Sequence, residues 1–262
     1  MSGGFVRAES PEEGVRVVMI DRPEKLNSLN AGVIEELGRE IARAESDSTL
    51  RCLVLTGAGE KAFIAGADIG ELAKLTPIEG REHSRRGQAL LDRIESLPVP
   101  TIAAINGYAY GGGLELAMAC SIRVASENAR MGLPETSLGI IPGYGGTQRL
   151  ARHVGGPRAL ELVLTAEKGL TATEAERIGL VNRVVPPGQA LSAALEIARK
   201  MRANSPAACR YALEAIRRGM DVPLAEGQVL EATLFGLCAA TEDMREGMKA
   251  FLEKRSPKFA GK

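Results

Sequence analysis

The sequence predicts an α/β protein that ends in an all-helical region, and three observations carry that reading. Short β-branched runs at 14–20 and 51–57 flank an amphipathic stretch, which is strand, helix, strand within about 45 residues. Two further apolar runs, 100–106 and 121–125, bracket a glycine break and a second helical run. From Thr171 onward, caps and stops recur around helical patterning, with a single short strand at 180–185.

Each element has a local cause. Asn30 can cap a helix whose apolar positions Val33, Ile34, Leu37 and Ile41 recur at helical spacing. Gly57 and Gly59 close the second strand. Asp68 can cap a helix, with Glu71 three residues on, and a structural cap is one reading of it. A helix over about 80–96 stops at Pro98-Val99-Pro100. Thr171 to Glu174 reads as a capping box whose helix ends at Gly179. Ser205-Pro206 opens a helix that Gly219 ends, Pro223 opens another, and Thr241 caps a last one. That last helix puts Met244, Met248, Phe251 and Leu252 on one face.

The bulk properties exclude several classes. The 33 basic and 33 acidic residues of this 262-residue chain cancel, so no overall field draws it to nucleic acid or a membrane. There is no Trp and no concentrated aromatic or basic segment for stacking on bases. Cys52, Cys120, Cys209 and Cys238 are far apart, which suits reduced thiols rather than a disulfide framework or metal site. His83 and His153 have no second ligand at metal spacing, so no metal is expected. The first 13 residues fit neither a secretory signal nor a transit peptide, and no apolar run reaches transmembrane length. A cytoplasmic location is the expectation.

The stretch Tyr110-Gly111-Gly112-Gly113-Leu114-Glu115 concentrates the chemistry. Three glycines remove every Cβ from a strand-to-helix turn, so a ligand can touch the backbone there. The N–H groups that open the helix suit a developing negative charge. Gly112 and Glu115 share a helix face about 4.5 Å apart along the axis. The nucleotide patterns fail. Counted from Gly107, a P-loop would need Lys and Ser or Thr where Gly113 and Leu114 stand. A dinucleotide fingerprint from Gly111 would need Gly or Ala at Leu116. Glu135 sits among Met131, Leu133, Leu138, Ile140 and Ile141, where burial would raise its pKa. A second glycine cluster, Gly143, Gly145 and Gly146, follows it. Glu115 reads either as a surface glutamate steadied by the helix dipole or as a proton-transfer group beside an oxyanion donor. Spacing alone does not bring Glu115 and Glu135 together.

The segments 62–69, 106–115, 133–149, 179–181 and 246–255 together resemble the crotonase, or enoyl-CoA hydratase/isomerase, superfamily, in order along nearly the whole chain. The resemblance implies a spiral of ββα units over 1–190. It also implies a helical region at 191–262 that makes trimers, or hexamers from paired trimers, and covers the active site. It implies that the Ala67 and Gly112 N–H groups hold the thioester oxygen of an acyl-CoA, and that Glu115 and Glu135 are the catalytic carboxylates. Ala65, Ala67, Asp68 and Ile69 match the loop that lines the CoA site. Lys254 matches a tail lysine that reaches CoA on a neighbouring subunit. No cofactor beyond the substrate's own coenzyme A is implied.

The local physics then assigns roles. Glu115, at a helix N-terminus, should favour the ionised form and activate water, while Glu135 should hold the proton to be delivered. Two positions depart from the family pattern: Ala166 stands where relatives usually have Gly, and Ala239 where many have a large aromatic. The alternatives are a double-bond isomerase, a hydratase of branched or aromatic acyl-CoAs, and an RNA-binding relative on the same fold.

Overall fold

The computed structural model describes residues 4–262, so Met1, Ser2 and Gly3, part of the N-terminal stretch weighed above, lie outside it. In chain order, β1 (Val6–Glu12) and β2 (Val15–Ile20) precede α1 (Ala31–Ser46). Next, β3 (Cys52–Gly57) and β4 (Ala62–Ala65) lead into α2 (Ile69–Leu72) and α3 (Pro77–Ser96). β5 (Thr101–Ile105) and β6 (Tyr108–Tyr110) lead into α4 (Gly112–Ala119). β7 (Ile122–Ser126) and β8 (Arg130–Gly132) lead through a 3-10 turn (Pro134–Leu138) into α5 (Gly146–Val154) and α6 (Gly156–Leu164). β9 (Leu170–Thr171), α7 (Ala172–Arg177) and β10 (Arg183–Val185) follow, then α8 (Ala190–Arg202), α9 (Pro206–Gly219), α10 (Leu224–Ala239) and α11 (Glu242–Leu252).

The strands sort into two sheets. One has six strands in the order β1-β2-β3-β5-β7-β10, the other four in the order β4-β6-β8-β9. From β3 to β8 the first strand of each pair joins the large sheet and the second joins the small one. Each ββα repeat therefore advances both sheets by one strand, which is the expected spiral. β2, β3, β5, β7 and β10 run parallel, and all six residues of β3 are buried, as a strand covered on both faces requires. Alternation divides its side chains between two cores. Leu53 and Leu55 face the cluster that holds Val33, Leu37, Leu91 and Ile94, whereas Cys52 and Val54 face Ala190, Ala193, Ala194 and Ala198 of α8.

The resemblance divides the chain at 190/191, but α8 begins at that point and covers the outer face of the large sheet. The helices that leave the core start at Pro206, with α9 and α10 packed as an antiparallel pair and α11 against α10. The small sheet escapes the residue-level reading altogether. Its strands are two to four residues long, too short for an alternation to register. β1 is likewise missed, because it is mostly exposed and carries no apolar pattern.

Two caps differ from expectation. Asp68 accepts from Gly70 N as a cap should, but Glu71 turns away and accepts from Ala31 N at the start of α1. Thr171 accepts from Glu174 N, while the Glu174 carboxylate pairs with Arg177 instead of closing the box. Ala166, at the position where relatives usually carry Gly, has φ +54°. That left-handed conformation explains the family preference.

Candidate active site

The small sheet builds the site. β4, β6 and β8 run parallel, with Ala65 opposite Tyr110 and Tyr110 opposite Gly132. The residues after each strand therefore leave the same sheet end side by side. From β4 come Gly66, Ala67 and Asp68; from β6 come Gly111, Gly112 and α4; from β8 comes the turn that carries Glu135. Ligands of α/β folds collect at this carboxyl end of parallel strands.

The backbone there is shaped for donation. Leu29 N donates to Gly66 O (2.9 Å) and Asp68 N donates to Leu29 O (2.8 Å), so alternation turns the Ala67 N–H away from Leu29. Gly112 is the first residue of α4, where an N–H has no helical acceptor. Among the described residues neither N–H donates to a protein acceptor. Gly111 must be glycine twice over: its φ is +49°, and a Cβ would lie 2.7 Å from Glu135 Oε1. Gly113 lets α4 lie against β4, since a Cβ there would stand 2.1 Å from the Ile64 carbonyl oxygen.

Two carboxylates converge on this backbone. Glu115 is 2 % exposed, and its Oε1 accepts from Tyr144 N and Gly146 N, each at 2.7 Å. The second glycine cluster thereby gains a role that its sequence did not reveal: α5 starts at Gly146, and Glu115 fills that N-terminus. Glu135 is 9 % exposed, and its Oε2 is buried without a hydrogen-bond partner. Its turn is fixed by Thr136, whose hydroxyl donates to Val163 O at 2.7 Å.

Burial raises both carboxyl groups to about 7. For Glu115 the neighbouring Glu135 charge adds to burial, and the two N–H bonds and Arg149 pull back. The expectation that the helix N-terminus would keep Glu115 ionised is not met: burial and the Glu135 charge raise its pKa, and what pulls it back is the Tyr144 and Gly146 N–H groups and Arg149 rather than the start of α4. The asymmetry survives in the partners. Glu115 has donors that hold a charge, and Glu135 has a free oxygen that can carry a proton.

Burial also ties Glu135 to stability. Its folded-state pKa is about 7 against the usual 4.5, so the folded chain keeps a proton that the unfolded chain sheds between those values. Stability from this group is fully present below 4.5 and is lost as pH rises through about 7. Glu135→Gln, uncharged throughout, should raise the unfolding free energy at pH 8 by roughly 1–3 kcal/mol and change it little at pH 4.5. Urea melts at both pH values check this, and an equal change at both would assign the effect to packing.

The CoA-loop candidates are contiguous with the site. Asp68 is the α2 cap and lies 3.7 Å from Arg22, and Ile69 beside it is 55 % exposed. Lys254 is elsewhere, past the end of α11, whose main packing partner is α10. A cavity of about 620 Å³ lined by Glu242, Asp243, Glu246, Arg255, Ser256, Lys258 and Ala260 holds none of the other candidates. It is an open, charged groove between α11 and the tail rather than a pocket for an acyl chain.

A family model described as enoyl-CoA hydratase/isomerase matches residues 10–262. The chain is 48 % identical over 244 residues to the short-chain-enoyl-CoA hydratase of Clostridium acetobutylicum, covering 93 % of each. It is 44 % identical over 251 residues to the crotonyl-CoA hydratase of Syntrophomonas wolfei, covering 96 % of each. The crystal structure of an enoyl-CoA hydratase from Bacillus anthracis superposes with a TM-score of 0.95 at 41 % identity, over 98 % of this chain and 100 % of that one. With two buried carboxylates and two free N–H groups at one sheet end, and likeness along its whole length, the chain belongs to the enoyl-CoA hydratase/isomerase family.

Proposed function

We propose that the chain is an enoyl-CoA hydratase, adding water reversibly and in the syn sense across the 2,3 double bond of a trans-2-enoyl-CoA to give a 3-hydroxyacyl-CoA. The observation that carries this is the second buried carboxylate, since Glu115 and Glu135 both lie at the end of the small sheet, close enough for the Glu135 charge to act on Glu115. A double-bond isomerase needs one shuttling base; hydration needs one group to take a proton and another to give one.

In this reading the thioester oxygen lies between the Ala67 and Gly112 N–H groups. The Glu115 carboxylate removes a proton from water as the water oxygen bonds to C3. The C2–C3 π electrons move toward the thioester, and the oxygen gains charge that the two N–H groups stabilise. Glu135 then gives its proton to C2 as the carbonyl re-forms. Donors on Glu115 and none on Glu135 Oε2 support this division. Ala65, Ala67, Asp68 and Ile69 would line the CoA, and no cofactor is required beyond the coenzyme A of the substrate.

The role given to Lys254 requires an assembly of several copies. α10 exposes large apolar side chains among its polar ones, with Leu224, Val229 and Phe235 each over two-thirds exposed, and Phe251 and Leu252 of α11 are more than 80 % exposed. Exposed apolar patches of this kind mark interaction surfaces, and copies of the same chain would cover these, placing Lys254 near a neighbour's CoA. Crotonyl-CoA should lose its enoyl absorbance on incubation with the chain, and the preparation should sediment as a trimer or hexamer. No loss across short, branched and aromatic enoyl-CoAs, together with salt-sensitive RNA retention, would instead support the RNA-binding alternative. A monomer at micromolar concentration would remove Lys254 from the site.

A further inference from the structure

The glutamate that the hydratase reading makes the base is not held by its own helix. Both donors to Glu115 Oε1 belong to the loop at 143–146, and that loop is held by α3. Ser84 Oγ and Gln88 Nε2 donate to Gly143 O at 2.5 and 3.0 Å. The Tyr144 ring lies over Gly87 so closely that a Cβ there would stand 2.1 Å from ring carbon Cδ1. Its other side lies 3.5 Å from where a Gly112 Cβ would be. The ring is thus clasped between α3 and the first residue of α4.

Packing alone explains a ring at this position but not a phenol. Tyr144 is 4 % exposed, and its hydroxyl meets His83 Nε2 at 2.6 Å, its one hydrogen-bond partner among the described residues. Burial and the Arg86 charge hold His83 below its usual pKa, while Glu71 pulls weakly the other way. Burial and the Glu115 charge push the Tyr144 phenol up. The two groups form a buried hydrogen bond in which a neutral imidazole can accept the phenol's proton at Nε2, or donate to its oxygen, according to the tautomer.

We propose that His83 and the Tyr144 hydroxyl are positioning residues for Glu115: their hydrogen bond pins the 143–146 loop so that two N–H groups aim at one carboxylate oxygen. Neither group touches the reacting atoms. This rests on the reading that Glu115 is the catalytic base. The groups that face its carboxyl are Glu135 from the 3-10 turn, Arg149 from α5 and the Tyr144 phenol itself. None of these charges changes when His83 is replaced, so a moved pH profile would report the loop donors.

The test is steady-state hydration of crotonyl-CoA by Tyr144→Phe, which keeps the ring, and by His83→Ala and His83→Gln. Loosened N–H bonds favour protonated Glu115. The acid limb of kcat/KM should then move up by about half a pH unit or more in Tyr144→Phe and His83→Ala. Their kcat should fall on the order of tenfold, less than the ~10² that about 1 Å of misplacement costs, with KM little changed. His83→Gln, whose amide oxygen can accept from the phenol, should recover most of both. The double variant should be no worse than either single one.

Unmoved kcat and pH limb in Tyr144→Phe and His83→Ala, beside an inactive Glu115→Gln, would overturn the proposal and leave the hydratase reading standing. A fall that tracks the folded fraction by circular dichroism, with the limb in place, would also overturn it. Normal turnover by Glu115→Gln would instead remove the reading on which it rests.

Discussion

Glu115→Gln and Glu135→Gln should each lower kcat/KM for crotonyl-CoA hydration by roughly 10²–10⁴, the range that a positioned acid or base contributes. The substitutions are close in shape. In Glu115→Gln the new amide oxygen can still accept from Tyr144 N and Gly146 N, so the backbone around it stays in place. What disappears is the ability to take or give a proton. Because the two groups act as a unit on one substrate, the double variant should fall far less than the product of the single losses. Both carboxyl groups lie at about 7, so the productive state carries one proton between them. The kcat/KM profile should be bell-shaped about neutral pH, rising as Glu115 ionises and falling as Glu135 loses its proton. Stopped-flow or spectrophotometric rates from acid to alkaline pH measure all of this. Near-normal turnover by either single variant would end the two-carboxylate mechanism.

Gly113→Ala should cost more than about 4 kcal/mol, a drop in Tm of roughly 10 °C or more, or prevent folding. Its Cβ would sit 2.1 Å from the Ile64 carbonyl oxygen and 2.7 Å from the Ile64 Cβ, and neither can step aside, because β4 is paired to β6. Relief would require α4 to lift off the small sheet, which separates Gly112 from Ala67. Any folded protein that remains should therefore have lost turnover as well. Gly80→Ala in α3 is the control: the same methyl group meets nothing within 4 Å. There alanine should be neutral or stabilising by up to about 1 kcal/mol, from helix propensity. Thermal melts of the two variants decide the matter, and equal effects would mean that the packing around Gly113 yields.

Much of the fold was legible because its cues are local. Apart from β1, the strands of the large sheet are apolar and β-branched, and Asn30, Thr171, Ser205 and Thr241 all cap the helices assigned to them. The second strand of each repeat was not legible residue by residue. Tyr108–Tyr110 is a strand only because β4 and β8 flank it, and three residues carry no period of their own. The resemblance supplied the spiral that the local reading could not.

The site divides in the same way. By itself the sequence determined which groups could do chemistry: a carboxylate one turn into a helix that opens on three glycines, and a second among apolar residues. These are properties of neighbours along the chain. Only the tertiary structure decided that Glu115 and Glu135 lie close enough for their charges to interact, that the Ala67 and Gly112 N–H groups leave the same sheet end, and that the 143–146 loop grips Glu115. Each of these depends on register between strands distant in sequence, and in a parallel sheet that register is set by packing rather than by any local signal. Burial was also a tertiary outcome. The dipole at a helix start favours the ionised form, and the surrounding core, by removing water, together with the Glu135 charge, lifts Glu115 to about 7 where it can exchange protons.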